Sequence, residues 1–459
     1  MKVKEIMSRH GLPSDSNPFP FYKNSHFLVK FAASFLLFGI ACRLLFSDSV
    51  MFSSSPVLTQ PLPSSQPSSI ALIPTEEEPE PEQQQDSADP MDLSVTQMSH
   101  SSPEEKCDLF AGEWVPDPSG PNYTNRSCLH IQDHQNCMRN GRPDSGYLYW
   151  RWKPSGCDLP KFDPRKFLKL MRNKSLAFIG DSISRNHVQS LLCILSQVER
   201  AVEVYSDKED KSKRWLFQSH NFTLSVVWAP FLIKADIFED NNGVSSKETH
   251  LHLDKLDPKW ADQYDSFDYA VIAGGKWFLK TAVYFENDEV AGCHYCPGLN
   301  LTELGMDFAY RKALSLALDF ASKHRAVMFL RTTTPDHFEN GEWFSGGTCN
   351  RTVPFREGEV DVGELDRAMR GIELEEFDKA AAAAAVGSGE NVGLKLLDTT
   401  RLSLLRPDGH PGAYMQFQPF AKDKEAKVQN DCLHWCLPGP IDSWNDLVME
   451  MISNGGLYR

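Results

Sequence analysis

Positive charge is what this chain has too little of. In 459 residues, 47 Lys and Arg stand against 62 Asp and Glu, a net charge of −15. That balance excludes a protein whose main task is to coat nucleic acid. Cysteine is also sparse, at 11 residues, too few for a small scaffold in which disulfides replace a core. No internal repeat is visible, and no Lys or Arg occurs from Leu44 through Glu105. Long apolar runs are missing with one exception. Hydrophobic residues nevertheless make up 41% and charged residues 24%, which rules out wholesale disorder and leaves room for a large folded domain.

The exception is Phe27–Phe46, a 20-residue apolar stretch interrupted only by Lys30 and Arg43 near its ends. At helical rise this length matches the roughly 30 Å of a bilayer core. The five basic residues of positions 1–30 and the basic-free stretch after the span place residues 1–26 in the cytosol and all that follows in a lumen. A cleaved signal peptide and a buried core helix are the rival readings. The signal peptide fits poorly with so long a polar lead and no clear small-residue site just after the run. Residues 47–106, rich in Pro, Ser, Gln and Glu, with an acidic run from Glu76 to Glu82, bury too little apolar surface to fold and read as a stalk.

Six N-x-S/T triplets (Asn122, Asn125, Asn173, Asn221, Asn300 and Asn350) all follow the span, as expected of a secretory glycoprotein. Ten of the cysteines follow it too. An oxidising lumen favours disulfides. Zinc is the alternative for Cys293-x-x-Cys296 and for Cys432 with Cys436, but neither pair has a second half at zinc spacing, so no metal is expected.

From Cys107 onward 49 acidic residues face 40 basic ones. Short apolar runs at Leu176–Ile179, Tyr269–Ala273, Ala326–Leu330 and Leu394–Leu397 alternate with helical patterns near 188–195, 305–323, 361–386 and 443–452. Strands alternating with helices predict an α/β fold: a mostly parallel sheet covered on both faces. Residues 107–160, rich in Cys, Trp and Gly, break that rhythm. They predict a loop-rich cap tied down by disulfides, ahead of a domain over 161–459.

Two motifs carry chemistry. Gly180-Asp181-Ser182 sits where an apolar strand turns into a helix. The carboxyl end of such a strand is where α/β sites form, and a serine at a helix N-terminus lies beside free N–H groups that stabilise negative charge. The bland alternative is an N-capping tripeptide. Asp431-x-x-His434 places a carboxylate and an imidazole on one face of a turn. The carboxylate can hold one ring nitrogen and leave the other as a base. The bland alternative is a buried structural histidine. His410, in Arg406–Pro411, is a competing base, although Asp-Gly-His-Pro reads first as a rigid turn.

Together these motifs resemble the SGNH/GDSL-like esterases, and more closely the plant trichome-birefringence-like polysaccharide O-acetyltransferases. The resemblance is carried by Cys107–Trp114 (CDLFAGEW), Asn136–Asp144 (NCMRNGRPD), Tyr149–Pro154 (YWRWKP), Phe178–Asn186 (FIGDSISRN) and Asp431–Pro440 (DCLHWCLPGP). It implies an SGNH-like fold and a single-pass type II Golgi membrane protein with a lumenal catalytic domain. The implied reaction moves acetyl groups from a donor, acetyl-CoA or another, to hydroxyls of a hemicellulose. Mannan or glucomannan is the favoured acceptor and xyloglucan the next. No cofactor is bound, and a donor-supplying membrane protein is a possible partner.

Ser182 is then the nucleophile, His434 the base and Asp431 its orienting partner. The Gly-x-Asn-Asp segment that supplies a side-chain oxyanion donor in many GDSL enzymes is absent. The second oxyanion donor falls to Arg185 or to the backbone at Gly274 or Gly275, with Asp181 and Asn186 positioning the helix start. Where many members read Gly-His-Trp, this chain has Gly275-Lys276-Trp277. Family spacing implies Cys107–Cys157 and Cys128–Cys193, with Cys137 and Cys349 pairing to Cys432 and Cys436, and Cys293–Cys296 local. Trp150, Trp152, Trp277 and Trp343 are candidates for stacking on sugars, or are core. Lys153, Lys276 and Arg331 are candidates for meeting an anionic donor, or are surface charges. Two other functions fit the same residues: a carbohydrate or pectin acetylesterase, and a non-catalytic wall-polysaccharide binding protein.

Overall fold

A computed structural model describes residues 107–236, 248–388 and 393–454. The expected cytosolic tail, membrane anchor (27–46) and stalk (47–106) lie outside the described residues. Among those described, no helix is long and apolar enough to cross a membrane.

The chain enters through an antiparallel hairpin, β1 (Asp108–Pro116) and β2 (Trp150–Ser155), then helix α1 (Pro164–Leu170). Strand β3 (Ser175–Gly180) leads into α2 (Ser182–Leu195). Then come β4 (Val202–Ser206), β5 (Lys213–Phe217), β6 (Phe222–Trp228), β7 (Ile233–Asp236), β8 (Thr249–Leu256), the short α3 (Pro258–Ala261) and β9 (Tyr269–Ile272). A second hairpin, β10 (Ala282–Glu286) and β11 (Glu289–His294), precedes the long α4 (Gly305–Ser322). The chain closes with β12 (Val327–Arg331), α5 (Glu364–Ser388), β13 (Leu394–Leu397), α6 (Thr400–Leu404) and α7 (Asp442–Ser453).

The main sheet has the order β13-β12-β9-β3-β6-β5-β4. Its first five strands are parallel, and β5 and β4 add antiparallel at one edge. Side chains of a strand alternate between faces. Leu176 and Phe178 therefore join one core with α2, α7 and the cap hairpin, while Ala177 and Ile179 join the other with α4 and α5. Both faces are covered, which is why β3 reads as an unbroken apolar run. Val188, Leu191, Leu192 and Leu195 of α2 are buried, each contributing about 1.5–3 kcal/mol. A four-stranded sheet, β11-β10-β8-β7, stands beside the second core.

The cap is less loop-like than its composition suggests. Its β1–β2 hairpin packs Trp114 edge-on to Trp152 and buries both. Between the two strands the chain is indeed turns and short 3-10 segments. Arg142 fastens this part to the segment before the Asp431–His434 turn, donating from Nη1 to the His410 carbonyl (2.8 Å) and from Nη2 to the Asp408 carbonyl (2.7 Å). Five disulfides are formed: Cys107–Cys157, Cys128–Cys193, Cys137–Cys436, Cys293–Cys296 and Cys349–Cys432. Asn122, Asn173, Asn221, Asn300 and Asn350 are exposed, and Asn125 is half-buried.

Candidate active site

Parallel strands end on one edge of a sheet, and that edge gathers the residues of interest. At the end of β3, Gly180 has φ +154°. A Cβ there would fall 2.3 Å from the Ala273 carbonyl oxygen, so only glycine lets the exits of β3 and β9 come this close. Asp181 then caps α2, its Oδ1 accepting the Ile183 N–H at 3.0 Å. Ser182 follows as the first helical residue, half-buried and lining a cleft of about 420 Å³. The exit of β9 supplies Gly274 and Gly275, the latter at φ +127°.

Asp431 and His434 line the same cleft. One Asp431 oxygen accepts the Leu433 and His434 backbone N–H groups (3.1 and 2.9 Å), and the other meets His434 Nδ1 at 2.8 Å. The turn itself therefore aims the carboxylate at the ring. His434 Nε2 is shut off from solvent and has no hydrogen-bond partner among the described residues. A buried nitrogen in that state is costly unless a proton donor arrives. Burial alone would lower the His434 pKa, but the charge and hydrogen bond of Asp431 more than reverse this and raise it. Asp431 is held well below the usual carboxylate range. Burial pushes it up, and the His434 charge with three hydrogen bonds outweighs that.

The loop is braced on several sides. Cys349–Cys432 and Cys137–Cys436 flank His434. Asp431 exchanges backbone hydrogen bonds with Gly412 (2.9 and 3.1 Å). Asn186 of α2 brackets Trp435, accepting its N–H at 2.8 Å and donating to its carbonyl at 3.3 Å. The helix that starts at Ser182 is thus tied to the residue after His434. Asn186→Ala leaves both Trp435 backbone groups buried and unpaired. We expect it to cost roughly 2–4 kcal/mol of stability and to lower kcat with little change in KM. Denaturant melts and steady-state kinetics check this, and an unchanged kcat would show that the clasp does not align the site.

Other expected residues land elsewhere. Arg185 does not line the cleft, and its guanidinium lies over the Trp228 ring at 5.5 Å. Lys276 does line it but is engaged by Asp336 and Asp366, both at 2.8 Å. Burial would lower its pKa, and the two carboxylates raise it well above the ordinary value, so it stays charged. Arg331 is neither a surface charge nor a cleft residue, being 4% exposed with its guanidinium over Trp444. Lys153 is exposed, away from the cleft. Trp152 is core, donating to the Leu109 carbonyl at 2.9 Å, and Trp150 is half-buried in the cap. Trp277 and Trp343 line the cleft, and Trp343 is 52% exposed beside an exposed Phe344. His410 has both ring nitrogens engaged, Nδ1 by the His434 carbonyl and Nε2 by His337 (both 2.7 Å), and so is not free to act as the base. Cys293 and Cys296 lie near Glu303, but they are disulfide-bonded and offer no thiolate to a metal.

The sequence pointed to neither His134 nor His337. His134 comes from the cap (Asp133–Gln135 turn), and its ring stands edge-on to His434 at 5.7 Å. Burial first, and then the positive charges of His434 and Arg185, push it down to about 4. A neutral imidazole from the cap therefore borders the site.

Residues 159–451 match the GDSL/SGNH-like acyl-esterase family found in Pmr5 and Cas1p, and residues 105–158 match the PMR5 N-terminal domain. The chain belongs to this acyl-esterase family. Its relatives include Protein trichome birefringence-like 25 of Arabidopsis thaliana, 56% identical over 98% of this chain and 97% of the relative. Xyloglucan O-acetyltransferase 1 of Arabidopsis thaliana is 47% identical over 78% of this chain and 83% of its own length, and its Populus trichocarpa namesake 46% identical over 78% and 85%. In this family member, then, the serine helix and the Asp431–His434 turn meet at one cleft, and the PMR5 N-terminal part touches the His434 ring through His134.

Proposed function

We propose that the protein is a polysaccharide O-acetyltransferase that works through Ser182, His434 and Asp431. The observation that carries this is the Asp431-oriented His434, with its buried, unpartnered Nε2, in the cleft that Ser182 lines. Relatives named as xyloglucan O-acetyltransferases support the reaction class. His434 Nε2 takes the Ser182 hydroxyl proton as Oγ bonds to the donor acetyl carbon. The oxyanion forms beside the helix N-terminus, where the Ser182 N–H has no partner among the described residues, and the N–H groups of Gly274 and Gly275 are the candidates for a second donor. Collapse expels the donor's leaving group, which takes the proton from His434, and leaves an acetyl-enzyme. A sugar hydroxyl then attacks the acetyl carbon and gives its proton to His434, and as the Ser182 Oγ–carbon bond breaks His434 returns that proton to Oγ, releasing the sugar ester and free Ser182. Incubating the protein with donor and no acceptor tests this. An acetyl-sized mass gain that maps to Ser182 is expected, and its absence under donors that support turnover would refute the covalent step.

The acceptor lies along the cleft's aromatic wall. Trp343 and Phe344 meet edge-on at 5.8 Å in a loop that the Cys349–Cys432 disulfide joins to the His434 turn. An indole face suits the C–H surface of a pyranose ring. Among hemicelluloses we favour mannan or glucomannan, then xyloglucan. Trp343→Ala should raise the acceptor KM by about tenfold with kcat nearly kept, as read from initial rates against oligosaccharide concentration. An unchanged KM would remove Trp343 from the acceptor path.

The lumenal, Golgi-membrane placement rests on the 27–46 segment, the 47–106 stalk and the glycosylation triplets, five of which are exposed. Acetyl donor reaches the lumenal side as acetyl-CoA or through a donor-supplying membrane protein. In sealed microsomes the chain should gain glycans and resist added protease except at its N-terminal tail. Protease-sensitive, unglycosylated chain would contradict this orientation.

A further inference from the structure

We propose that His337 and His410 form one buried imidazole pair sharing three N–H protons, and that this single cation holds the His434 loop in place and keeps His434 from protonating too readily. The inference rests on His434 being the base.

The argument is a proton count. The Leu404 carbonyl lies 2.8 Å from His337 Nε2. His337 Nδ1 lies 2.7 Å from His410 Nε2. His410 Nδ1 lies 2.7 Å from the His434 carbonyl. Both ends of this chain are carbonyl oxygens, which only accept. Each terminal nitrogen must therefore carry a hydrogen, and the central contact needs one more. Two neutral imidazoles supply only two hydrogens for three contacts, so one contact would set lone pair against lone pair. Three hydrogens satisfy all of them, and the pair is then a monocation.

Burial lowers the pKa of His337 as well as that of His410, so the surroundings allow no more than one charge, and the three contacts are what call for it. His410 is 3% exposed and stacks on Trp435 with ring centres 4.2 Å apart. Burial, and then the like charge of His337, push His410 to about 3, so the two rings do not become imidazolium together. Charged groups converge from every neighbouring element. Asp336 comes from the loop after β12, Asp366 from α5, Asp408 from the segment before His410, Asp431 from the His434 turn, and Asp144 from the cap beside Arg142. Lys276, Arg142 and Arg406 are the permanent cations among them. Five carboxylates against three fixed cations leave a net negative surround, which favours a shared proton on the pair. Its charge acts on His434 through the carbonyl contact and through space, opposing the pull of Asp431.

Two measurements test this on the full chain. The first is the pH dependence of kcat/KM in the wild type and in His337→Gln. Removing the cation makes His434 easier to protonate, so the acid limb moves to higher pH. The ratio of rates at pH 8 and pH 6 should grow by about threefold or more. A uniform loss of rate with an unmoved limb would mean the pair is merely structural and would overturn the proposal. The second needs neither turnover nor a variant: nitrogen-15 NMR of the histidine rings in the wild type near neutral pH. Coupling across a His337–His410 N–H···N bond, with both outer nitrogens protonated, is expected. A ring pair with only two hydrogens would overturn the charge assignment even if the variant fails to fold. The NMR readout needs no acetyl transfer, so failure of the pair and failure of the catalytic assignment are distinguishable.

Discussion

Ser182→Ala will reduce acetyl transfer by about three orders of magnitude or more, while the folded protein loses almost no stability. The asymmetry follows from the site. Helix α2 does not depend on the Ser182 hydroxyl, because it keeps its cap through Asp181. Alanine also favours a helix more than serine does, so the melting temperature should shift by no more than about two degrees. Loss of the nucleophile removes the covalent path and leaves only the oxyanion donors and the binding cleft. Initial rates with a hemicellulose oligosaccharide, beside a thermal melt, check both halves. Retention of more than about a tenth of the rate would mean that acetyl does not pass through Ser182.

Asp431→Asn is expected to lower kcat by about 10³–10⁴-fold, and its pH profile should be diagnostic. In the wild type the base must be neutral, so activity falls as pH drops through the His434 pKa, which Asp431 raises above the ordinary histidine value. With the carboxylate gone, the acid limb should move to lower pH even as the maximum rate collapses. Stability runs the other way. The raised histidine pKa contributes stability that is full below the unfolded value near 6.5 and lost as pH rises through the folded one. The depressed carboxylate pKa contributes stability that is full above the unfolded value near 3.9 and lost as pH falls through the folded one. The ion pair therefore stabilises most between about pH 4 and 6.5, where the base is least active, and Asp431→Asn should flatten that stability maximum. An acid limb that stays put in the variant would show that Asp431 does not set the basicity of His434.

Strands β3, β9, β12 and β13 were legible because both of their faces are buried, so burial writes itself into the sequence as short apolar runs. Strand β4 was not. All five of its residues are exposed, and it exists because β5 offers it an antiparallel edge, a condition invisible in local pattern. The sheet containing β7, β8, β10 and β11 was missed for a related reason. In β8 the apolar residues are few and spread singly, as in His250-Leu251-His252-Leu253, rather than gathered in a run, and β8 and β10 pair in parallel across a chain crossover. In the site, Ser182, Asp431 and His434 stood out because each lies in a short motif whose chemistry is local. The clasp of Asn186 on Trp435 spans 249 residues of sequence. The contact of His134 with His434 joins the cap to the other end of the chain. Neither has a spacing rule that a single sequence can show. Lys276 looked like a ligand for an anion until Asp336 and Asp366 took up its charge.

The most direct test is transfer itself. The full chain, supplied with acetyl-CoA, would be offered unacetylated mannan, xyloglucan and xylan oligosaccharides separately, with Ser182→Ala as control and mass spectrometry as the readout. An acetyl-sized gain on mannan or xyloglucan oligosaccharides that vanishes in the control is the predicted result. Ser182-dependent release of acetate from pre-acetylated polymer, with no gain on any acceptor, would contradict it and make the protein an esterase.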